Sequence, residues 1–364
     1  MNKNHYCVIM AGGAGERFWP VSKGNHPKQF IDILESGVTL IQQTYKRLSH
    51  IFLPENILVV INEQYLPLVN EQLPQISQEN ILCEPARRNT APCIAYACHK
   101  IAAKCPDAVI LVAPSDHVIL NETEFIDTLT VAMNAASQQE WLFTLGIQPS
   151  RPETGYGYIK FREGIFYQQD DTRIYKVSTF TEKPNVEIAQ QFLESGDYLW
   201  NSGIFIWSAV AIIHALEEHL QDINDLFKPK TIPYHTPQEH ETIQQAYFKC
   251  RSVSIDYGVM EKADNVYVLK SDFGWSDLGT WGSLFAFLQK NEKNNIVSGH
   301  NVLMYDSENN LIKTPNEKLV VLQGLDGYVV VENDNILLIC KKDEEKRLRE
   351  IINDIRLNKG EHYL

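Results

Sequence analysis

The sequence predicts an α/β fold with a mainly parallel sheet, followed by a small, separate β unit. The sheet is predicted because short apolar runs alternate with stretches of helical length, a pattern typical of βαβ units. These apolar runs cover residues 6–10, 57–61, 81–83, 109–113 and 142–145. The β unit is predicted because the pattern changes after residue 291, where short β-rich pieces are joined by Asn, Asp and Gly turns.

The remaining elements follow from local patterns. Apolar stretches of helical length predict helices over residues 91–103, 123–136 and 210–220. Shorter runs predict strands over 156–161 and 203–207, and the prolines of 228–236 predict a loop. In the last part, strands are expected at 301–305, 319–322, 328–332 and 336–340, with a charged helix at 343–355. We therefore expect two domains, 1–290 and 291–364.

Composition excludes several classes of protein. The 364 residues carry a formal net charge of −13, which disfavours binding to a nucleic-acid backbone through bulk attraction. No pair of the seven cysteines has CxxC spacing, so neither a zinc site nor a disulfide framework is expected. The N-terminus has no long apolar segment, and no run is long enough to span a bilayer. We expect a reduced, soluble, cytoplasmic protein with no membrane or nucleic-acid partner, which must meet an anionic substrate with local cations or a metal.

A glycine-rich segment after the first predicted strand is a candidate phosphate site. Ala11, Gly12, Gly13 and Gly15 supply backbone N–H groups that a ligand can approach closely, and a helix beginning after them would add its N-terminus. The dinucleotide-binding motif GxGxxG is not matched, because Phe18 stands where its last glycine would be when counted from Gly13, and no Gly-Lys pair has the P-loop spacing. A tight β–α turn without a ligand is the alternative.

Two cations accompany these glycines. Arg17 and Lys28 would bracket a polyphosphate, although Lys28 alone could be an ordinary surface lysine. The segment 10–30, MAGGAGERFWPVSKGNHPKQF, resembles the signature of sugar-1-phosphate nucleotidyltransferases. Its RFWP and PKQF letters are similar to those of the mannose-1-phosphate guanylyltransferases (GDP-mannose pyrophosphorylases). Those enzymes typically carry arginine where this chain has Lys23, so the charge is kept and the guanidinium fork is lost.

A polar segment, EPARRNTAP, follows the third predicted strand. Glu84 can accept hydrogen bonds from two N–H donors on the guanine edge, a pair that adenine and the pyrimidines do not offer. Asn89 would add a polar contact, and Thr90 is also a suitable helix N-cap. From spacing alone, a surface salt-bridge cluster of Glu84, Arg87 and Arg88 is the alternative. The segment is similar to the family stretch EPxxRNTAP, which implies that guanine binds nearby.

Two acidic residues in distant loops are candidate metal ligands. Asp116 follows Ser115 at the end of the fourth predicted strand, and Asp277 lies in GWSDLG. Carboxylates in such positions suit Mg²⁺, because hard cations take oxygen ligands and share substrate phosphates; a turn cap is the alternative for Asp116. The two segments resemble the family motifs SDH and W-x-D-[LV]-G, which implies Mg²⁺ at both aspartates and nucleotide at Ser115. His117 needs no metal role, and a structural hydrogen bond suits it equally.

Three further segments are candidates for the sugar phosphate. Gly157 lies in TGYGYI, Glu182 and Lys183 lie in TEKP, and Asn201 lies in WNSGIF. A carboxylate can accept from sugar hydroxyls, a lysine can neutralise a phosphate, and a carboxamide offers donors and acceptors. Each segment alone could be an ordinary sheet feature. In this order they resemble the sugar-binding motifs of the family.

Asp256 lies in SIDYGVMEK, which also matches a family segment. We expect it to cap a helix, because aspartate is favoured at N-caps. Contact with the sugar site is the alternative for this residue.

The resemblance spans about residues 4–340 and implies a doubly wound, mixed-sheet nucleotidyltransferase domain that is Rossmann-like and GT-A-like. It implies that the C-terminal β unit is a partial left-handed β-helix with homodimer contacts. The implied reaction joins GTP and mannose 1-phosphate into GDP-mannose and pyrophosphate with Mg²⁺. Arg17, Lys28, Asp116 and Lys183 would act directly in it. Many bacterial relatives continue into an isomerase domain, and we expect this chain to be a short, monofunctional form.

Three alternatives stay open from the sequence. One is the same chemistry with another hexose 1-phosphate. The second is a nucleotide-sugar glycosyltransferase, although Ser115-Asp116-His117 lacks the second acid of a DxD motif. The third is a non-catalytic sugar-nucleotide sensor, which would be expected to lose cation or acid positions that are present here.

Overall fold

The structure is a computed structural model that describes residues 1–13, 15–169 and 172–364. The chain forms two compact units. The first unit consists of Met1–Gly13, Gln42–Ser115 and Ile119–Trp275. The second unit consists of Ala14–Ile41, Asp116–Val118 and Ser276–Leu364.

The strands within the described residues are, in chain order, β1 (His5–Met10), β2 (Ile57–Asn62), β3 (Ile81–Glu84), β4 (Val109–Pro114), β5 (Val118–Ile119), β6 (Leu142–Ile147), β7 (Tyr158–Gln169), β8 (Thr172–Thr181), β9 (Tyr198–Ser208), β10 (Val266–Ser271), β11 (Trp275–Ser276), β12 (Ile296–Ser298), β13 (Val302–Tyr305), β14 (Leu311–Lys313), β15 (Val320–Gln323), β16 (Tyr328–Asn333) and β17 (Ile336–Lys341). The predicted strands are confirmed, with shifted ends. Strand β7 begins later than expected and β9 begins earlier.

The α-helices within the described residues are α1 (Leu40–Leu48), α2 (Leu66–Gln72), α3 (Thr90–Lys104), α4 (Glu122–Ala136), α5 (Val186–Ser195), α6 (Ala209–His219), α7 (Gln221–Phe227), α8 (Glu239–Lys249), α9 (Trp281–Phe287) and α10 (Leu348–Asn358). The three helices predicted in the first unit are confirmed as α3, α4 and α6. In the parts of the chain that the structure describes, no helix has the length and apolar character needed to cross a bilayer.

The first unit is built on a nine-stranded sheet with the order β3-β2-β1-β4-β9-β6-β10-β8-β7. The pairs among β3, β2, β1 and β4 are parallel, as predicted. The expectation of a mainly parallel sheet is wrong for the other half, because β9 runs antiparallel to β4 and β6, and β8 runs antiparallel to β7 and β10. Alternating apolar runs reveal that strands are present but not the direction in which each is inserted. The sheet is therefore mixed, as the family resemblance implies.

The order of the strands positions the candidate residues of the first unit. In this unit the parallel strands β1, β3 and β4 end at Met10, Glu84 and Pro114. Gly12 and Gly13 come shortly after β1, Glu84 is the first residue of EPARRNTAP, and Ser115 follows β4. The carboxyl ends of parallel strands lie at one edge of a sheet, where α/β proteins bind ligands. The core beneath is apolar and includes Val8, Leu82 and Ile110.

The second unit contains a β-helix-like array. Strands β12, β14 and β16 pair in parallel, β13 pairs in parallel with β15, and β17 closes a hairpin with β16. Its apolar core includes Phe18 and Trp281, whose rings meet edge to face at 4.9 Å. The charged helix that the sequence predicts at 343–355 begins later in the structure, at Leu348. Residues Lys342–Arg347 form a 3-10 segment in which Glu345 accepts a hydrogen bond from the Gly282 N–H at 2.9 Å, and α10 follows.

Candidate active site

Glu84, the last residue of β3, is buried beside the glycine-rich segment. Tyr247 Oη donates a hydrogen bond to Glu84 Oε1 at 2.8 Å. A Cβ atom on Gly12 would lie 2.8 Å from Glu84 Oε2, so glycine is needed there to leave room for the carboxylate. Burial raises the pKa of Glu84 to about 7, and the hydrogen bond from Tyr247 acts in the opposite direction.

The two arginines that follow Glu84 do not pair with it. A guanidinium nitrogen of Arg87 donates to Tyr65 Oη at 2.5 Å, and Arg88 Nε donates to the backbone carbonyl of Tyr247 at 3.2 Å. Among the residues that the structure describes, no ion pair joins Glu84 to either arginine. The alternative of a salt-bridge cluster is therefore wrong, because aromatic and backbone partners occupy these side chains.

Asn89 and Thr90 lie where the sequence places them, at the start of α3. Asn89 Oδ1 accepts from the Thr90 N–H at 2.9 Å, and Asn89 has φ +68°. The N-cap is therefore Asn89, and the assignment of this cap to Thr90 is wrong; asparagine tolerates positive φ better than a β-branched residue does. Thr90 Oγ1 instead accepts from the Ile255 N–H at 2.8 Å.

Two of the predicted nucleotide contacts have their backbone N–H groups engaged in the sheet. The Ala11 N–H donates to the Val60 carbonyl at 2.7 Å, and the Ser115 N–H donates to the Met10 carbonyl at 3.0 Å. A nucleotide contact by Ala11 or Ser115 would therefore use other atoms.

The residues predicted to bind the sugar come together in the first unit. A Cβ atom on Gly157 would lie 2.7 Å from Glu182 Oε2 and 3.2 Å from Asn201 Cβ. The Asn201 N–H donates to the Gly157 carbonyl at 2.8 Å. Lys183 Nζ donates to Glu182 Oε1 at 2.5 Å, and its side chain is half exposed. This cluster joins a buried carboxylate to an accessible ammonium.

The carboxamide of Asn201 is oriented by its neighbours. Asn201 Oδ1 accepts from the Gly203 N–H at 3.2 Å and from Thr144 Oγ1 at 2.8 Å. Its Nδ2 therefore faces Asp256 and donates to Asp256 Oδ1 at 2.9 Å. Asn201 thus connects the predicted sugar residues to Asp256.

Asp256 is not the helix cap that the sequence predicts. It begins a short π-helical turn, Asp256–Met260, and the hydroxyl of Ser254 accepts the Tyr257 N–H at 3.2 Å. Serine supplies the cap, which leaves the aspartate carboxylate for Asn201. Burial and the nearby Glu182 raise the pKa of Asp256 to about 7.

In the second unit, Gly15 lies against the segment that carries Lys28. Its φ is +60°, and a Cβ atom there would lie 2.4 Å from Lys28 N. Only glycine satisfies both conditions. The helix predicted after the glycines is wrong: residues Glu16–Phe18 form a single 3-10 turn, and Pro20 follows within two residues and cannot continue a helix.

Lys28 is buried, with its ammonium enclosed by acceptors of the second unit. Its Nζ lies 2.8 Å from Asp116 Oδ2 and donates to the carbonyls of Asp277 at 2.6 Å and Leu278 at 3.2 Å. Burial acts to raise the pKa of Asp116, but nearby cations, chiefly Lys28, outweigh it and hold this pKa below its usual value. Lys28 is therefore not an ordinary surface lysine.

Asp277 lies beside Arg17 in the same unit. Asp277 Oδ1 accepts from the Gly279 N–H at 2.9 Å, and Asp277 Oδ2 lies 3.7 Å from a guanidinium nitrogen of Arg17. The second unit thus brings together Arg17, Lys28, Asp116 and Asp277. The first and last of these residues are more than 200 positions apart in the sequence.

Asp116 and Asp277 each present a carboxylate, the type of ligand that a hard divalent cation prefers. Mg²⁺ commonly uses one or two carboxylates together with waters and substrate phosphates. Within the described ranges, no group of three or more His, Cys, Asp or Glu side chains is arranged to hold a metal by itself. A metal at this pair would therefore depend on substrate oxygens for the rest of its coordination.

Comparison with protein families identifies the family of this chain. Residues 6–294 match the family described as nucleotidyl transferase. The chain belongs to this family. Residues 294–355 match the family described as the MannoseP isomerase/GMP-like beta-helix domain.

Named relatives of this nucleotidyl transferase extend along nearly the whole chain. The mannose-1-phosphate guanylyltransferase of Escherichia coli (strain K12) is 36% identical over 363 residues, covering 98% of this chain and 74% of that protein. The alginate biosynthesis protein AlgA of Pseudomonas aeruginosa is 37% identical over 351 residues, covering 96% of this chain and 71% of AlgA. A crystal structure from Thermus thermophilus, described as a mannose-1-phosphate geranyltransferase, superposes with a TM-score of 0.85 at 29% identity, covering 97% of this chain and 99% of the other. The predicted fold class, including the β-helix-like C-terminal part, is confirmed.

Two residues that contact the candidate site side chains are not predicted from the sequence. Tyr247 reaches Glu84 from α8, 163 residues further along the chain, and Thr144 reaches Asn201 from β6. Neither lies in a motif, so no local pattern marks it. Lys23, the departure from the family arginine, pairs with Asp334 at 2.7 Å in the turn between β16 and β17.

Proposed function

We propose that this nucleotidyl transferase transfers GMP from GTP to α-D-mannose 1-phosphate, producing GDP-mannose and pyrophosphate. The observation that carries the proposal is the likeness to proteins named mannose-1-phosphate guanylyltransferase over 98% of this chain. The residues of the signature segments support it, because all the charged side chains that the reaction needs are present.

The reaction is a direct in-line displacement. A phosphate oxygen of mannose 1-phosphate forms a bond to the α-phosphorus of GTP, and the bond from that phosphorus to the bridging oxygen breaks. Pyrophosphate carries away the electron pair. Since the attacking oxygen is already ionised at neutral pH, no protein nucleophile is required. The protein positions the substrates and neutralises their charge.

Residues of the second unit act on the triphosphate in this proposal. Arg17 and Gly15 hold the phosphates, and Gly12 and Gly13 of the first unit contribute backbone groups. Lys28 stabilises charge on the α-phosphate and the leaving pyrophosphate. Its ammonium is already oriented by three acceptors, so little reorganisation is needed during the reaction.

Asp116 and Asp277 would hold a divalent cation, Mg²⁺ in this proposal. When bound, the cation supplies neutralisation of charge around the α-phosphate. The two aspartates orient it, while Lys28 and Arg17 restrain their carboxylates.

Residues of the first unit recognise the base and the hexose. Glu84 accepts from the guanine edge, and Asn89 and Thr90 contribute polar groups at the start of α3. For the hexose, Glu182 accepts from hydroxyls and Asn201 fixes the surrounding polar groups. Lys183 neutralises the nucleophilic phosphate, which would otherwise be repelled by the triphosphate.

We also propose that the protein acts as a cytoplasmic homodimer, with the contacts in residues 291–364. Leu303, Tyr305 and Val321 are about half exposed on the paired strands β13 and β15, and Leu303 lies opposite Val321. Exposed apolar side chains grouped in this way are typical of interfaces. Sedimentation of the wild type as a dimer and of L303D/V321D as a folded monomer would support this assignment; a monomeric wild type would contradict it.

Product stoichiometry tests the proposed reaction. Purified protein is incubated with GTP, mannose 1-phosphate and Mg²⁺, and GDP-mannose and pyrophosphate are quantified together. The proposal expects the two products in equal amounts and none when the sugar phosphate is left out. Binding of GDP-mannose without turnover would identify a sensor and overturn the proposal.

A further inference from the structure

The carboxylate of Glu84 is buried among neutral groups. The hydroxyl of Tyr247 bonds to it, and burial raises the pKa of this tyrosine, so the hydroxyl is neutral at pH 7. The hydroxyl of Tyr96 donates to Glu239 instead, and Arg88 donates to the backbone carbonyl of Tyr247. No cation pairs with Glu84 among the described residues. A buried carboxylate without a cation needs hydrogen-bond donors, because its desolvation is costly.

The two oxygens of this carboxylate have different surroundings. Oε1 accepts the hydrogen bond from the fully buried Tyr247 at 2.8 Å. Oε2 lies beside the glycine-rich segment, at the space where a side chain on Gly12 would otherwise stand. A carboxylate has about four lone-pair positions, and one tyrosine hydroxyl uses only one of them. The remaining positions stay available to donors on a ligand.

A tyrosine suits this position better than a cation would. Lysine or arginine would form an ion pair with Glu84 and compete with a ligand for its lone pairs. The Tyr247 hydroxyl limits the rotation of the carboxylate but leaves its other lone pairs free to accept hydrogen bonds. The Tyr247 ring packs against the Phe227 ring, with 5.3 Å between the ring centroids.

We propose that Tyr247 is a positioning residue for purine selection, which fixes the Glu84 carboxylate so that it accepts the two N–H donors of a guanine edge. This inference rests on the proposed function, because it takes a guanine nucleotide as the ligand. Adenine lacks this donor pair, and hypoxanthine lacks its 2-amino member. Tyr247 thereby acts on base selection through Glu84 without touching the base.

The arrangement couples nucleotide binding to protons. The pKa of Glu84 is about 7 in the free protein, and the donors of guanine require the ionised form. Binding at acidic pH therefore releases a proton from Glu84, and the affinity of the base site rises as this carboxyl ionises. Removing the Tyr247 hydroxyl takes away the hydrogen bond that lowers this pKa, so the pH midpoint moves upward.

Calorimetric binding of GDP and IDP to the full chain tests this inference without requiring turnover. Titrations are made from pH 6 to 8.5, in two buffers of different ionisation enthalpy, on wild type, Y247F and Y234F. Tyr234 is a matched control for the loss of a buried tyrosine hydroxyl, because its hydroxyl donates to the Phe227 carbonyl and not to Glu84.

We expect Y247F to weaken GDP binding about tenfold, to reduce the preference for GDP over IDP, and to shift the pH midpoint upward. We expect Y234F to match the wild type in all three. If Y247F does not fold, G12A is the second variant, because its Cβ would displace Glu84 Oε2. An unchanged preference for GDP over IDP in G12A would show that the orientation of this carboxylate does not select the base, and would overturn the inference. A Y247F variant that binds like Y234F would also overturn it. A wild type that fails to bind GDP at any pH would overturn the proposed function as well, which separates the two failures.

Discussion

Replacing Lys28 with methionine separates the catalytic and structural roles of this buried ammonium. Methionine keeps the length and apolar stem of the side chain and removes the charge. The substitution breaks the ion pair with Asp116 and the hydrogen bonds to the carbonyls of Asp277 and Leu278.

The expected loss of stability follows from these contacts. Removing one partner of a buried ion pair costs about 3–5 kcal/mol, and the side chain of Asp116 retains 31% exposure, which favours the lower value of about 3 kcal/mol. The loss of one preorganised charge at the phosphates is expected to lower kcat about 100- to 1000-fold. Both effects are large enough to measure independently.

Urea denaturation gives the free energy of unfolding, and pyrophosphate release gives kcat. K100M is the matched control, because Lys100 Nζ lies 2.6 and 2.8 Å from the two carboxylate oxygens of buried Glu239 and has no role in the proposed reaction. It should lose comparable stability and keep kcat within about threefold. The double variant K28M/D116N should regain part of the stability, since no uncompensated carboxylate remains, but no activity.

A folded K28M that retains kcat within a few-fold of the wild type would contradict the catalytic role of Lys28, because this lysine would then only hold its loop. A K100M that loses kcat as strongly as K28M would contradict this role as well, since the effect would then reflect general destabilisation.

Three other substitutions test the first unit. G12A should raise KM for GTP about tenfold with kcat at saturation preserved, because the new Cβ would displace Glu84 Oε2; an unchanged KM would remove Glu84 from base recognition. E84Q should become more stable than the wild type as the pH rises from 5 to 8, by up to about 3 kcal/mol in urea denaturation, because the pKa of Glu84 is about 7 in the folded protein against an ordinary 4.5 and its ionisation therefore opposes folding. A stability difference that stays constant across this pH range would contradict the raised pKa. D256N should raise KM for mannose 1-phosphate about tenfold and leave KM for GTP unchanged, because Asp256 is held by Asn201 among the sugar residues; equal changes in both KM values would assign Asp256 a structural role.

Local sequence was sufficient for residues whose neighbours lie nearby in the chain or whose motif marks a strand end. Glu84 and Asp116 follow buried strands, so the topology of a parallel sheet predicts where they emerge. The alternation of apolar runs likewise predicted the strands. It did not predict that β9 runs antiparallel to β4 and β6, because the period of apolar residues is the same for both strand directions.

Contacts between distant segments were not predictable in the same way. Lys28 could be a surface lysine by sequence, and only the folded chain encloses it with the Asp277 and Leu278 carbonyls. Asp256 is of a residue type favoured at N-caps, yet the Ser254 hydroxyl accepts the Tyr257 N–H and the aspartate carboxylate accepts from Asn201. In both cases a long-range acceptor or donor outweighs the local preference.

The most direct test of the proposed activity is a pyrophosphate-release assay with Mg²⁺ in which GTP, ATP, UTP and dTTP are each paired with mannose, glucose and galactose 1-phosphates. We expect release mainly with GTP and mannose 1-phosphate, which would support the base site at Glu84 and the reaction together. Release with another pair would contradict the assigned specificity, and silence across the whole panel would contradict catalysis itself.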